Sequence, residues 1–220
     1  KAPVSSFQMA RTETTMWQYG MYCEANGKDI QENQTKAWGG IRGNDPVILV
    51  SWHDAARYAN WLSKQCNLDT VYIFTGDDFK ETNYAARGYR LPTEVEWEYA
   101  ARGGPAREVF EYAGSNDLDS VGWYRENSGS RTHPVAGKKA NSLGLYDMSG
   151  NVREWCGDWY SEYPATFPAN YRGPDSGSRR VLRGGCWNDL DLAGYCLPAY
   201  RNNFFPYIRY DDYGFRLAFV

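Results

Sequence analysis

The sequence predicts one α+β domain, loop-rich, with two main helices on small twisted antiparallel sheets. Three observations carry this. The chain has 220 residues, enough for one sizeable core or at most two small ones. Its well-punctuated helical segments all lie before residue 105 and open on Ser or Thr. Beyond that point no long amphipathic segment occurs, and the chain becomes short strand-like runs and Gly, Asn and Pro turns with many tryptophans.

The first helix is expected over 15–25, with Thr14 or Thr15 as its cap. PVILVSW (46–52) has the look of a buried strand leading into a second helix. Ser51 caps that helix, and Asp54 stands at the capping-box position. Ala55, Tyr58, Ala59 and Leu62 then share one face. Residues 67–86 look like a polar, irregular insertion apart from VYIF (71–74). RLPTEVEWEYAARGG (90–104) predicts a short helix, with a Thr93/Glu96 capping box after Pro92 and a stop at Gly103 and Gly104. No repeat and no linker divides residues 1–220.

Composition excludes several roles. The formal net charge is -3 and the sequence holds no basic cluster, which argues against nucleic acid as a partner. No apolar run approaches the ~20 residues that span a bilayer. No secretory leader is visible, and the start at Lys1 leaves export open. Five cysteines (Cys23, Cys66, Cys156, Cys186 and Cys196) at irregular spacing are not a disulfide framework, and no CxxC suggests structural zinc. His53 and His133 are expected to be structural.

The segment 186–213 is different. It is crowded with Tyr, Phe, Asn and Asp and has neither strand nor helix period. RVLRGG (180–185) and GFRL (214–217) flank it as framework. Aromatic rings give contact area at low entropic cost and Asn and Asp give adaptable hydrogen bonds, so the segment is predicted to be a binding surface. Its candidate residues are Cys186, Asp189, Leu190, Asp191, Leu192, Gly194, Tyr195, Tyr200, Asn203, Phe204, Phe205, Tyr207, Ile208, Tyr210, Asp211, Asp212 and Tyr213. Tyr207, Tyr210 and Tyr213 flank charged residues and are expected to be exposed together as an interaction patch. Tyr195, Phe204 and Phe205 are open to a second reading as core. Codons ending in C or T encode the whole set, and mutation of adenines in an AAC asparagine codon reaches it. Lys, Glu, Gln and Met, which that route cannot reach, are absent from the segment, and its one Trp, Trp187, belongs to the framework.

Five ordered motifs complete the reading: RLPTEVEWEYAARGG, HPVAG (133–137), NSLGLYDMSGNVREWCGDWY (141–160), RVLRGGCW (180–187) and GFRLA (214–218). Together with 9–19 and 46–62 they resemble the formylglycine-generating-enzyme/sulfatase-modifying-factor domain over nearly the whole chain. The resemblance implies a C-type-lectin-like fold. The oxidase members carry a C-x4-C pair shortly after RVxxGG, and the thiolate is their metal ligand and redox group. The corresponding positions here are Asp189 and Gly194, while Cys186 and Cys196 stand at C-x9-C spacing, so the oxidase site is expected to be absent.

Resemblance also implies a candidate structural calcium site at Ser149, Gly150, Val152 and Glu154, with Asn151 at the turn. The alternative is that Glu154 pairs with an arginine and the turn closes without metal. Trp187-Asn188-Asp189 is similar to a calcium motif of sugar-binding lectins, but no Glu-Pro-Asn or Gln-Pro-Asp partner precedes it. Finally, the tail resembles the variable region of diversity-generating-retroelement proteins, which also end in GFR. That implies a non-enzymatic, receptor-like bacterial protein at the cell surface. Its lipid anchor would lie outside this chain, it would require no cofactor, and its ligand would be a macromolecule, a protein above all. Trp187, Arg201, Phe215 and Arg216 would hold the frame. The alternatives are a copper-dependent oxidase of the formylglycine-generating type and a calcium-dependent glycan-binding lectin.

Overall fold

The computed structural model describes residues 3–28, 43–106, 109–190 and 194–219. In chain order the elements are β1 (Gln8–Met9), α1 (Met16–Ala25), α2 (Trp52–Gln65), β2 (Tyr72–Thr75), β3 (Asp78–Thr82), β4 (Tyr89–Arg90) and α3 (Glu94–Ala101). A 3-10 turn (Gly104–Ala106), α4 (Leu118–Val121), β5 (Arg153–Trp159), β6 (Arg180–Arg183), β7 (Asn202–Phe204), β8 (Tyr213–Gly214) and β9 (Ala218–Phe219) follow. They form sheets ordered β1-β9-β4, β2-β3 and β7-β6-β5-β8. β8 runs parallel to β5, and every other pairing is antiparallel.

All three long helices open on a complete capping box. The pairs are Thr15 with Gln18, Ser51 with Asp54 and Thr93 with Glu96. The side-chain oxygen of each cap accepts from the third backbone N–H, and the third side chain accepts in return from the cap's own N–H. For the first helix the cap is Thr15, not Thr14.

Two expectations change. Residues 46–52 are largely buried but form no strand beyond a Thr15–Pro46 bridge. Leu49 sits at φ 57, which breaks the extended run, and its N–H donates to Tyr210 O. Residues 67–86 are not an irregular insertion, for β2 and β3 form a hairpin within them. Gly76, at φ 60, supplies the left-handed turn position, and Asn60 of α2 holds the Val71 and Tyr72 backbone by hydrogen bonds.

β5 separates two apolar cores. Trp155 packs with Trp52, Tyr58 and Phe215 on one side. Cys156, its neighbour, packs with Trp97, Met148 and Val181 on the other, as strand alternation dictates. The three fully buried tryptophans each find an acceptor for the indole N–H: Trp52 at Cys156 O, 2.9 Å, Trp155 at Val50 O, 3.0 Å, and Trp97 at Glu154 Oε2, 2.9 Å. The C-terminal segment enters this frame at β7 and β8, beside β6 and β5.

Candidate ligand-binding face at the C-terminus

The face is built on β5. Along that strand Arg153 and Glu154 point to opposite sides, and each organises one side of the tail. Glu154 is fully buried and holds Arg216 of the GFR motif through two bonds of 2.6 and 2.7 Å. Arg216 also donates to Tyr146 O at 2.8 Å, which ties the chain end to the 141–160 loop.

Arg153 reaches under the tail. It donates to Asp189 and Asp212, and to Cys186 Sγ at 3.1 Å. Asp189 in turn accepts from the Cys186 backbone N–H at 2.9 Å. Burial opposes the Arg153 charge, but the Asp189 and Asp212 carboxyls beside it hold it firmly protonated. Burial pushes both carboxyls above the usual carboxylate range, and the Arg153 guanidinium opposes that only in part.

A second clamp comes from α3. The buried Glu94 binds Arg201 through two bonds of 2.7 Å, and Arg183 lies 3.6 Å from the same carboxylate. Arg201 is stacked on Tyr160 and Tyr163 at 4.6 and 3.7 Å. Arg183 also donates to Glu98 Oε2 at 2.5 Å and to Tyr200 O.

Between these clamps the tail turns side chains outward. Tyr207 is 60% exposed, Tyr210 45% and Leu190 42%, and Asp211 is exposed as well. Tyr195, Tyr200, Asn203, Phe204, Phe205, Ile208 and Asp212 are half-buried, as is Gly194 at φ 66. Ring contacts link Tyr207 to Phe205 at 5.7 Å and Phe204 to Tyr210 at 5.4 Å. Tyr195 meets Tyr200 at 4.9 Å, and Arg179 lies 4.9 Å over Phe205. Phe204 and Ile208 also pack on the core, so they belong to both surface and interior.

Three candidates are not displayed. Cys186, Asp189 and Tyr213 are buried. Cys186 and Asp189 are turned inward to Arg153, and Tyr213 on β8 packs edge-on against Trp155 at 5.3 Å. Tyr213 was expected at the surface from its charged neighbours; β8 pairing sends it inward instead. Asp191 and Leu192 lie outside the described residues.

The candidate calcium residues are in place but differently engaged. Glu154 faces a guanidinium and an indole N–H, so a cation there would meet Arg216 directly. Ser149 Oγ accepts from Ala113 N–H, Gly150 N–H donates to Gly184 O, and Val152 is core. The nearby carboxyls of Glu13 and Asp147 are both raised, chiefly by burial. This donor set does not fit calcium at Glu154. All five cysteines are unbonded, and burial holds the Cys186 thiol well above its usual value.

A family model described as the sulfatase-modifying factor enzyme 1-like domain matches residues 1–219. The chain belongs to this family. Chaperone protein LppX of Paenibacillus barcinonensis is 38% identical over 200 residues, covering 64% of this chain and 71% of that protein. The formylglycine-generating enzyme of Streptomyces coelicolor is 36% identical over 199 residues, covering 80% of this chain and 53% of that enzyme. The chain thus spans about half the length of that relative. Among solved structures, Treponema denticola variable protein 1 matches with a TM-score of 0.86 and 36% identity over 99% of this chain and 86% of that one. The mixed α+β architecture expected from sequence is the architecture of these relatives.

Sequence reasoning missed Arg153 and Glu94. Arg153 stands next to Glu154 in the quoted GNVREW motif, and strand alternation was the signal that would have sent it to the opposite face. Glu94 was legible only as a first-turn acid, because its partner Arg201 lies 107 residues away.

Proposed function

We propose that the chain is a non-enzymatic ligand-binding protein, and that its C-terminal face presents side chains diversified by a retroelement on a fixed scaffold. One observation carries the reading. Where the family's oxidases place their thiol pair, this chain has Asp189, turned inward to Arg153, and Gly194, which has no side chain. No thiolate pair is available there for copper. The same segment turns Tyr207, Tyr210 and Leu190 to solvent, and that broad aromatic surface suits a flat protein partner. The likeness to the Treponema denticola variable protein supports a binding scaffold.

Placement at a bacterial surface through a lipid anchor beyond these residues belongs to the same proposal. No helix among the described residues is long and apolar enough to cross a membrane. Calcium has no part in the reading, because Glu154 is engaged by Arg216 and Asp189 by Arg153. The competing reading is an oxidase, the activity that the names of relatives 36–37% identical carry. Oxygen uptake by the purified chain with copper(I) and a cysteine-bearing peptide separates the two. The proposal predicts no uptake above the protein-free rate. Copper-dependent uptake that is lost in Cys186→Ser or Cys196→Ser overturns it.

A further inference from the structure

A groove between α2, the end of α1 and β2 has a chemistry of its own. Arg57, Asn60, Trp61 and Lys64 fall at i, i+3, i+4 and i+7 on α2 and so share one face. The C-terminal turn of α1 and strand β2 wall this face into a groove of about 460 Å³, within the range of roughly 300–1,000 Å³ typical of small-molecule sites. Three cations line it: Lys28, Arg57 and Lys64. No carboxylate does, among its described lining residues, although the chain as a whole carries a net charge of -3.

The aromatic walls contact two of those cations. Tyr22 and Trp61 pack against each other at 5.6 Å. Lys28 Nζ lies 5.1 Å from the Tyr22 ring and donates to its hydroxyl at 3.0 Å. Arg57 stacks 4.2 Å over Phe74 and uses Nη2 for Gly76 O and Asp77. Asp77 is fully exposed, so that ion pair is weak and open to competition. Asn60 pins β2 to α2, which fixes the wall without a ligand.

We infer that this groove binds a small molecule that carries a phosphate or sulfate on a ring. Lys28 and Lys64 supply point charges for the oxyanion, Arg57 a planar fork, and Trp61 and Tyr22 apolar surface for the ring. Two lysine ammonium groups and one guanidinium, with no carboxylate among the groove's described lining residues, match a divalent oxyanion. The site shares no residue with 186–213, so its failure leaves the reading of the tail untouched.

The test is calorimetric titration of the whole chain with glucose 6-phosphate, adenosine monophosphate and inorganic phosphate, at low and raised potassium chloride. At least one of the two ring-bearing phosphates is expected to bind about tenfold more tightly than inorganic phosphate. That affinity should fall with salt and drop about tenfold or more in Lys28→Gln/Lys64→Gln, in which both exposed side chains are changed. Which ring wins separates a sugar ligand from a nucleotide. Lys64→Gln alone gives the same reading at smaller amplitude if the double variant fails to fold. The inference is overturned if neither ring-bearing phosphate exceeds inorganic phosphate, if salt has no effect, or if the substitutions leave affinity unchanged.

Discussion

Arg153 joins three chain segments through one guanidinium: β5 itself, the 186–189 turn and the approach to β8. Asp189 and Asp212 are both within the candidate variable set, yet they serve as its partners beneath the surface. Removing the charge leaves two carboxyls facing each other in a poorly solvated site. Arg153→Met is therefore expected to cost about 3 kcal/mol near pH 7 and less at a lower pH, as protonation relieves the repulsion between the raised carboxyls. Urea unfolding at the two pH values checks both the size and the direction. Exposure makes a second, opposite pair of predictions. Tyr213→Ala, at 5% exposure against Trp155, should cost about 3–5 kcal/mol, whereas Tyr207→Ala, at 60% exposure, should cost below about 1 kcal/mol. In sequence these two tyrosines belong together because both stand in a run interleaved with Arg209, Asp211 and Asp212. What separates them is the strand period of β8, which depends on a partner strand some sixty residues away and is invisible locally.

Among the elements, α3 does more than fill the core. Glu94 at its first position grips Arg201 and so ties the helix to the tail. Arg201→Met should leave Glu94 with only Arg183 nearby and speed amide exchange across 195–204, while the β2–β3 hairpin keeps its protection. Uniform change in both regions would contradict this. β5 carries a pH signature at its other end. Burial, with Glu94 close by, raises the Asp158 carboxyl from the usual 3.8 to about 8. A carboxyl raised in the folded state favours folding fully below its unfolded value, and that contribution is lost as pH rises through the folded one. The window for Asp158 thus runs from about 4 to about 8. Asp158→Asn keeps the acceptor for Glu94 N–H, so wild type should lose a few kcal/mol relative to the variant between pH 5 and 9 in urea titrations. Parallel curves would contradict the assignment. Helix starts were legible in sequence because a capping box needs only four residues. The hairpin was not, since its turn is Gly76-Asp77 within a polar run and its stability comes from Asn60 on α2.

At the level of the whole molecule, the chain divides into a frame and a face. The frame includes two apolar cores on either side of β5, with Glu154–Arg216 buried between the motifs that carry the family resemblance. Those motifs made the fold class readable. The strand order β7-β6-β5-β8 was not, because it brings residues far apart in sequence together by packing and register. Composition alone set 186–213 apart but did not say which of its side chains are displayed: Cys186, Asp189 and Tyr213 share the composition of their exposed neighbours and are buried. A frame of this kind lets Leu190, Tyr207, Tyr210 and Asp211 change with little cost to folding, which is what diversification requires. The direct measurement is to sequence the encoding locus from several isolates and compare the 186–213 coding stretch with any nearby near-copy. The account predicts such a copy, with differences falling at its adenines and concentrated at the codons of the displayed positions. A constant stretch with no copy in any isolate would contradict it.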